Sequence, residues 1–199
     1  MSAAHTIRPA RLEDAPALQQ IYAHYVEQTA YSFEYQPPTP QEFQARIAAT
    51  LQAYPYLVAE VEGTPLGYAY AGRMRSREAY DWVVETTVYL APQAIGQGLG
   101  RALYDALLPQ LASQGVQKAY ACITANNTGS IDFHKHLGFV EEGYFFRCGY
   151  KMGQWWDVVW LALDLGGFPC PPPALRPWRS VSYTHLRAHE TSLHLVCRL

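Results

Sequence analysis

The stretch Glu85-Thr-Thr-Val-Tyr-Leu-Ala-Pro-Gln-Ala-Ile-Gly-Gln-Gly-Leu-Gly-Arg-Ala-Leu-Tyr104 reads as a strand, a glycine-rich turn and the first turns of a helix. β-Branched and aromatic residues from Thr86 to Leu90 favour an extended backbone, Pro92 ends it, and Leu99, Leu103, Ala106 and Leu107 recur at helical spacing. Gly96, Gly98 and Gly100 remove Cβ atoms just where a new helix exposes unpaired N–H groups, which makes a cradle for an anion, above all a phosphate. These residues leave the ligand open. A G-x-G-x-x-G dinucleotide fingerprint fails because the sixth residue from Gly96 is Arg101, and no Gly-Lys-Ser/Thr follows to make a Walker A loop. A strand-to-helix turn with no ligand is the other reading of the glycines alone.

Upstream, Thr6 to Pro9 forms a short strand, and Leu18, Ile21, Tyr22, Tyr25 and Val26 mark one face of a helix with Asp14 as its N-cap. Tyr31 to Pro38 is a loop. Thr39-Pro-Gln-Glu42 is a capping box with proline at the first helical position, and Phe43, Ile47 and Leu51 give that helix its buried face. Tyr56 to Val61, a Glu62-Gly63 turn and Leu66 to Gly72 read as a hairpin, with a third strand from Asp81 to Leu90 entering the cradle. Downstream, Gly115 caps the long helix, Ala119 to Thr124 is a strand, and Asn127 caps a short helix ending near Leu137-Gly138. Phe139 to Arg147 and Trp155 to Leu163 are the last strands. This order predicts an α/β domain: a mixed sheet with helices on its faces.

At 199 residues, 49% of them hydrophobic, the chain suits one globular domain. Fifteen basic against seventeen acidic residues leave a net charge of −2, which predicts neither a nucleic-acid nor an anionic-membrane partner. No apolar run approaches the ~18 residues of a membrane span, and Met1 to Ala10 has no signal-peptide core, so the expected compartment is the cytoplasm. Cys122, Cys148, Cys170 and Cys197 show no C-x-x-C spacing and read as buried or incidental thiols.

The C-terminal part departs from this pattern. Residues 169–180 are a proline-rich segment that cannot continue a sheet. Residues 181–199, opening with Val181-Ser-Tyr-Thr-His-Leu-Arg-Ala-His-Glu-Thr191, resemble the translation of a transposon-end sequencing adapter. His185, His189 and His194 there have no thiolate or carboxylate pattern around them, so no metal site is expected.

The element order and several local motifs resemble the GNAT-type N-acetyltransferases, and within them the phosphinothricin (methionine sulfoximine) acetyltransferase group. The residues that carry the resemblance are Tyr56-Leu-Val-Ala-Glu60, Gly67-Tyr-Ala-Tyr-Ala-Gly72, Ala79-Tyr-Asp-Trp82, Glu85-Thr-Thr-Val-Tyr89, Gly98-Leu-Gly100, Leu137-Gly-Phe139 and Trp155-Trp-Asp157. The resemblance implies one acetyltransferase domain over residues 1–168, with a mixed, mostly antiparallel central sheet and helices on both faces. It implies acetyl-CoA as acetyl donor, with its pyrophosphate on Gly96, Gln97, Gly98, Leu99, Gly100 and Arg101. Asn127 joins these as a CoA contact, and the backbone of Val88, Tyr89 and Leu90 pairs with the pantetheine arm. Ile95 stands where the family opens its loop with Gln or Arg, which removes one side-chain contact but leaves the backbone donors.

Acetyl transfer to an amine needs a base for the amine, a held carbonyl and a proton for the leaving thiolate. By the same resemblance Glu85 is the general base. For the acid there are two candidates: His134, in Phe133-His-Lys-His-Leu-Gly-Phe139, titrates near neutrality, and Tyr104 sits on the first turns of the long helix. Arg75, Arg77 and Tyr80 match a basic stretch near the substrate's acidic groups, and Phe33 and Tyr70 are expected pocket walls. Trp156 replaces a histidine common in the group. The expected reaction is transfer to the α-amine of a small polar or acidic amino acid by direct attack in a ternary complex, since no cysteine is expected at the site. Transfer to another amine, such as a peptide N-terminus, and a non-catalytic CoA-binding sensor are the alternatives. A homodimer through the strands around Phe145 and Trp155 is implied as well.

Overall fold

The computed structural model describes residues 5–178, in which seven strands make one sheet of order β1-β2-β3-β4-β5-β7-β6. The strands are β1 (His5–Pro9), β2 (Tyr56–Val61), β3 (Thr64–Arg73), β4 (Val83–Leu90), β5 (Lys118–Thr124), β6 (Val140–Lys151) and β7 (Gln154–Asp164). Four helices accompany them: α1 (Ala15–Gln28), α2 (Pro40–Thr50), α3 (Leu99–Gln114) and α4 (Thr128–His136). Every neighbouring pair is antiparallel except β4 and β5. The adapter-like stretch, residues 181–199, lies outside the described residues.

Helix ends show which local signals operate. Thr39 Oγ1 accepts from the Glu42 N–H at 3.2 Å and Glu42 Oε2 from the Thr39 N–H at 2.7 Å, a reciprocal capping box. Gly115 closes α3 at φ 97°, a left-handed conformation that suits glycine. Asp14 holds the N-cap position of α1, but its side chain makes no cap hydrogen bond. Its carboxylate takes both terminal nitrogens of Arg8 at 2.7 Å and the Arg11 N–H at 2.7 Å. A bidentate guanidinium outcompetes one helix N–H for the same oxygens. Strand β4 begins at Val83 instead of Asp81, because Asp81 turns back to pair with Arg73.

The sheet is split at its parallel pair. β4 and β5 share only Val83↔Lys118, Val84↔Ala119 and Glu85↔Tyr120. Beyond Glu85, β4 runs on against β3 alone, while β5 runs on to Thr124 against β7 alone, so the two strands fork and leave one backbone edge of each open. Thr86 Oγ1 donates to Tyr120 O at 3.0 Å in the crotch of this fork, satisfying a carbonyl at the point where the ladder ends.

Alternation along β4 divides its side chains between the two faces of the sheet. Glu85, Thr87 and Tyr89 lie opposite Gly72, Tyr70 and Tyr68 of β3, and Tyr70 in turn opposite Tyr56 of β2. This face is covered by α1 and α2, with Tyr22 against Tyr89 and Phe43 against Tyr68 at ring separations of 5.1 and 5.9 Å. Thr86 belongs to the other face, where it meets Tyr104 of α3. The segment after β7 lies along the domain: Trp82 Nε1 donates to Pro173 O at 2.6 Å, the Arg176 N–H to Gln114 O at 2.8 Å and Trp178 Nε1 to Leu51 O at 2.8 Å.

Candidate active site

The fork opens into a cleft of about 1260 Å³ that reaches from the glycine turn to the C-terminal end of α2. Glu85, Thr86, Thr87, Val88, Tyr89 and Leu90 wall it on one side and Ala121, Cys122, Ile123 and Thr124 on the other. The structure therefore brings Glu85, Val88, Tyr89, Leu90, Gly96, Gly98, Gly100, Arg101, Asn127, His134, Phe33 and Tyr70 to one cavity.

At one end, Gly96 and Gly98 adopt φ of 80° and 82°, and a Cβ on either would meet nothing within 4 Å. Gly98 is the N-cap of α3 without a side-chain cap, so the N–H groups of Leu99, Gly100 and Arg101 have no intrahelical acceptor. Gly100 serves a different need: a Cβ there would lie 3.3 Å from the Phe133 ring, so its smallness lets α3 and α4 approach. Gln97 turns its amide back to Gln93 O at 2.7 Å and Leu99 buries its side chain in the core; neither side chain lines the cleft. Arg101 lines it while pairing with Asp105 at 2.8 Å. Asn127 caps α4, accepting from the Ser130 N–H at 3.3 Å.

Glu85 sits where the fork begins, half-buried, and burial raises its carboxyl above the usual range while the Arg75 cation pulls it partly back. Gly72, directly opposite on β3, leaves open space beside it. His134 and Tyr104 belong to the opposite face of β4. Tyr104 is fully buried, its hydroxyl 2.8 Å from His134 Nε2 and 3.1 Å from Thr86 Oγ1, and it does not line the cleft. His134 Nδ1 lies 2.8 Å from Ser130 O and donates to it, and Nε2 faces the Tyr104 hydroxyl, whose single hydrogen serves either Nε2 or Thr86 Oγ1. Burial lowers the His134 pKa and raises that of Tyr104, which favours the neutral form of both. The two acid candidates are thus one hydrogen-bonded unit.

Arg75, Arg77 and Tyr80 do not join the cleft wall; with Ser76 they line a separate concavity of about 340 Å³. Arg75 also lies 6.0 Å over the Trp160 ring. Trp156 donates to Lys151 O at 2.9 Å and does not line the cleft. The cation that does line its far end is Arg46 of α2, paired with Glu34 at 2.7 and 3.1 Å, a residue without any motif around it in the sequence. Phe33 is seated over Gly149, where any Cβ would fall 2.1 Å from its ring. Its loop is held by Lys151, whose buried ammonium donates to Val26 O and Ser32 O at 2.6 and 2.7 Å, and by Thr124 donating to Ala30 O at 2.8 Å. Cys122, read from the sequence as a buried or incidental thiol, has an exposed side chain on the cleft wall, where partial loss of solvent and the Glu85 charge raise its thiol pKa to about 12.

A profile of the Acetyltransferase (GNAT) domain matches residues 7–160. The chain is 41% identical to a phosphinothricin N-acetyltransferase of Streptomyces viridochromogenes, over 86% of this chain and 93% of that protein. It is 44% identical to one from Alcaligenes faecalis, over 77% and 79% of the two chains. A crystal structure of a GNAT-superfamily phosphinothricin acetyltransferase from Sinorhizobium meliloti in complex with AcCoA matches with a TM-score of 0.79 at 34% identity, covering 89% of this chain and 94% of that one. With the forked seven-stranded sheet and the uncapped glycine turn, these matches establish that the chain belongs to the GNAT acetyltransferases and is an N-acetyltransferase resembling the phosphinothricin group.

Proposed function

We propose that this enzyme acetylates the α-amine of a small polar or acidic amino acid or analogue, of the phosphinothricin or methionine sulfoximine kind, by direct attack in a ternary complex. The observation that carries the reading is the fork between β4 and β5, which joins the glycine turn to Glu85 in one cavity. The open φ-positive glycines and the free N–H groups of Leu99, Gly100 and Arg101 fit a pyrophosphate. The open edge of Val88 to Leu90 fits an amide-bearing arm, although Leu90 O already accepts from Tyr25 at 2.6 Å. Acetyl-CoA supplies the activated thioester carbonyl when bound.

Glu85 takes the amine proton on the face covered by α1 and α2. On the face covered by α3 and α4 the leaving thiolate is protonated from the hydrogen-bonded pair of His134, which lines the cleft, and Tyr104. Separating the two roles across one strand keeps the base from quenching the acid. Cytoplasmic location and a homodimer belong to the same proposal; exposed Phe145, Phe146 and Trp155 on β6 and β7 favour the dimer. Among the described residues no helix is long and apolar enough to cross a membrane.

Thiol release from acetyl-CoA across a panel of amino acids, their phosphinate, sulfone and sulfoximine analogues and short peptides tests the reading. Turnover with free amino acids or analogues, and none with peptides, is expected. A peptide N-terminus is the second reading, favoured by Arg75 and Arg77 lining a concavity of their own; turnover confined to peptides would replace the first.

A further inference from the structure

The loop from Thr29 to Thr39 joins α1 to α2, the two helices over the Glu85 face of the sheet, and its residues Tyr31, Ser32, Phe33 and Glu34 line the cleft. Ser32 is the point at which this loop is held. Its hydroxyl lies 2.7 Å from the Tyr22 hydroxyl and accepts from the Glu34 N–H at 3.2 Å, and its carbonyl accepts from Lys151 Nζ at 2.7 Å. The same ammonium donates at 2.6 Å to Val26 O, in the last turn of α1, where carbonyls run out of helical donors and a cation is favoured. Lys151 is 4% exposed, and both of these bonds go to backbone carbonyls, not to a carboxylate. The negative charge that acts on it is that of Glu34, on the loop itself and already paired with Arg46.

An ammonium is an unfavourable core residue, because burying one costs free energy that an apolar side chain of the same length does not incur. What the charge achieves here is position. β6 ends on Lys151, so the bond to Ser32 ties the rim of the cleft to the β6–β7 hairpin, and the two preceding residues repeat the tie: Phe33 rests on Gly149, and the Tyr35 hydroxyl donates to Tyr150 O at 2.6 Å. On the proposed reading that the acceptor amine meets Glu85 in this cleft, we infer that Lys151 is a positioning residue: its ammonium latches Ser32 so that Phe33 and Glu34 stand as a fixed wall on the acceptor's side. Without the latch the acceptor must order the loop as it binds, and its apparent affinity falls with the fraction of loops in place. The cradle of Gly96 to Arg101 is made by backbone at the start of α3, so the acetyl donor's site does not depend on the latch.

Lys151→Met keeps an unbranched stem and removes both bonds. Two readings test it: steady-state kinetics with L-phosphinothricin and acetyl-CoA, and amide hydrogen exchange along the chain. KM for phosphinothricin is expected to rise about tenfold, as the loss of charge-assisted bonds lowers the fraction of loops in place, with kcat and KM for acetyl-CoA unchanged. Exchange is expected to quicken from Ala30 to Tyr35 and to stay the same in the glycine turn. Lys151→Gln, which keeps two N–H donors on a shorter stem, is expected to fall between Lys151→Met and the wild type in both readings, and it carries the test if Lys151→Met does not fold. A merely structural role would lower the melting temperature and the active fraction, hence kcat, and leave both KM values where they were. That result overturns the inference, as does a loop that loosens with no change in the acceptor KM, and either leaves the acetyltransferase reading standing. Wild-type protein that acetylates neither phosphinothricin nor any other amino acid removes that reading, and the inference with it.

Discussion

Gly72 gives a perturbation whose two effects have opposite signs. It lies directly across from Glu85 on β3, its φ is not positive, and a Cβ built on it meets nothing within 4 Å. The Cβ of Gly72→Val therefore meets no neighbour. The substitution removes unfolded-state freedom worth ~0.4 to 1 kcal/mol and places a β-branched residue in a strand interior. A net gain of about 1 kcal/mol raises the melting temperature by about 2 to 4 °C for a domain of this size. Directly opposed residues have Cβ atoms ~4.5 to 5.5 Å apart, so the valine methyls fill the space beside the Glu85 carboxylate that an incoming amine needs. Loss of general-base contact costs ~10² to 10⁴ in rate. The expected variant is more stable, binds acetyl-CoA as before by calorimetry, and loses about a hundredfold in kcat/KM for the acceptor in a thiol-release assay. A stabilised variant with wild-type kinetics would show that the amine does not approach Glu85 from this face.

Thr86→Val keeps the shape of the side chain but leaves Tyr120 O and the Tyr104 hydroxyl each one partner short at the fork; a loss of about 1 to 3 kcal/mol in urea unfolding is expected, and an unchanged midpoint would contradict it. Cys122→Ala is expected to retain full turnover, because a thiol with a pKa near 12 is protonated at neutral pH; an acetyl adduct on Cys122 by mass spectrometry would contradict direct attack. Ending the chain at Phe168 removes the buried Trp178 indole and the bonds to Trp82, Gln114 and Leu51, and is expected to cost about 2 kcal/mol after the ordering entropy is deducted. Removing only residues 180–199 is expected to leave the melting temperature unchanged, and a clear fall would refute the adapter reading.

What was legible in the sequence was local. The Thr39–Glu42 capping box, the Asn127 cap and the Gly115 terminus each follow from a few neighbouring residues, and the structure has all three. Asp14 stands at the N-cap position as read, but its side chain is drawn off by Arg8, on a strand whose proximity no local pattern encodes. The glycine turn was read correctly as a backbone opening at Gly96 and Gly98, but the smallness of Gly100 answers to Phe133, which arrives from a different helix. The cleft wall shows the same limit. Glu85 and the β4 edge lie within one motif, whereas Arg46, Glu34, Tyr56 and Tyr68 converge from a helix, a loop and two strands with no shared spacing. Cys122 was discounted for want of a partner motif, although period-2 alternation on β5 places it on the cleft side.

The central claim, that Glu85 is the base, is tested most directly by the pH dependence of kcat/KM for the wild-type enzyme and for Glu85→Gln. Burial raises the Glu85 pKa, so wild-type activity is expected to fall as pH drops through a value above the ordinary carboxylate range, where the base becomes protonated. In Glu85→Gln that limb should disappear and the plateau should drop by ~10² to 10⁴, with acetyl-CoA affinity unchanged. A variant that keeps wild-type turnover and the same acid limb at every pH would contradict the account.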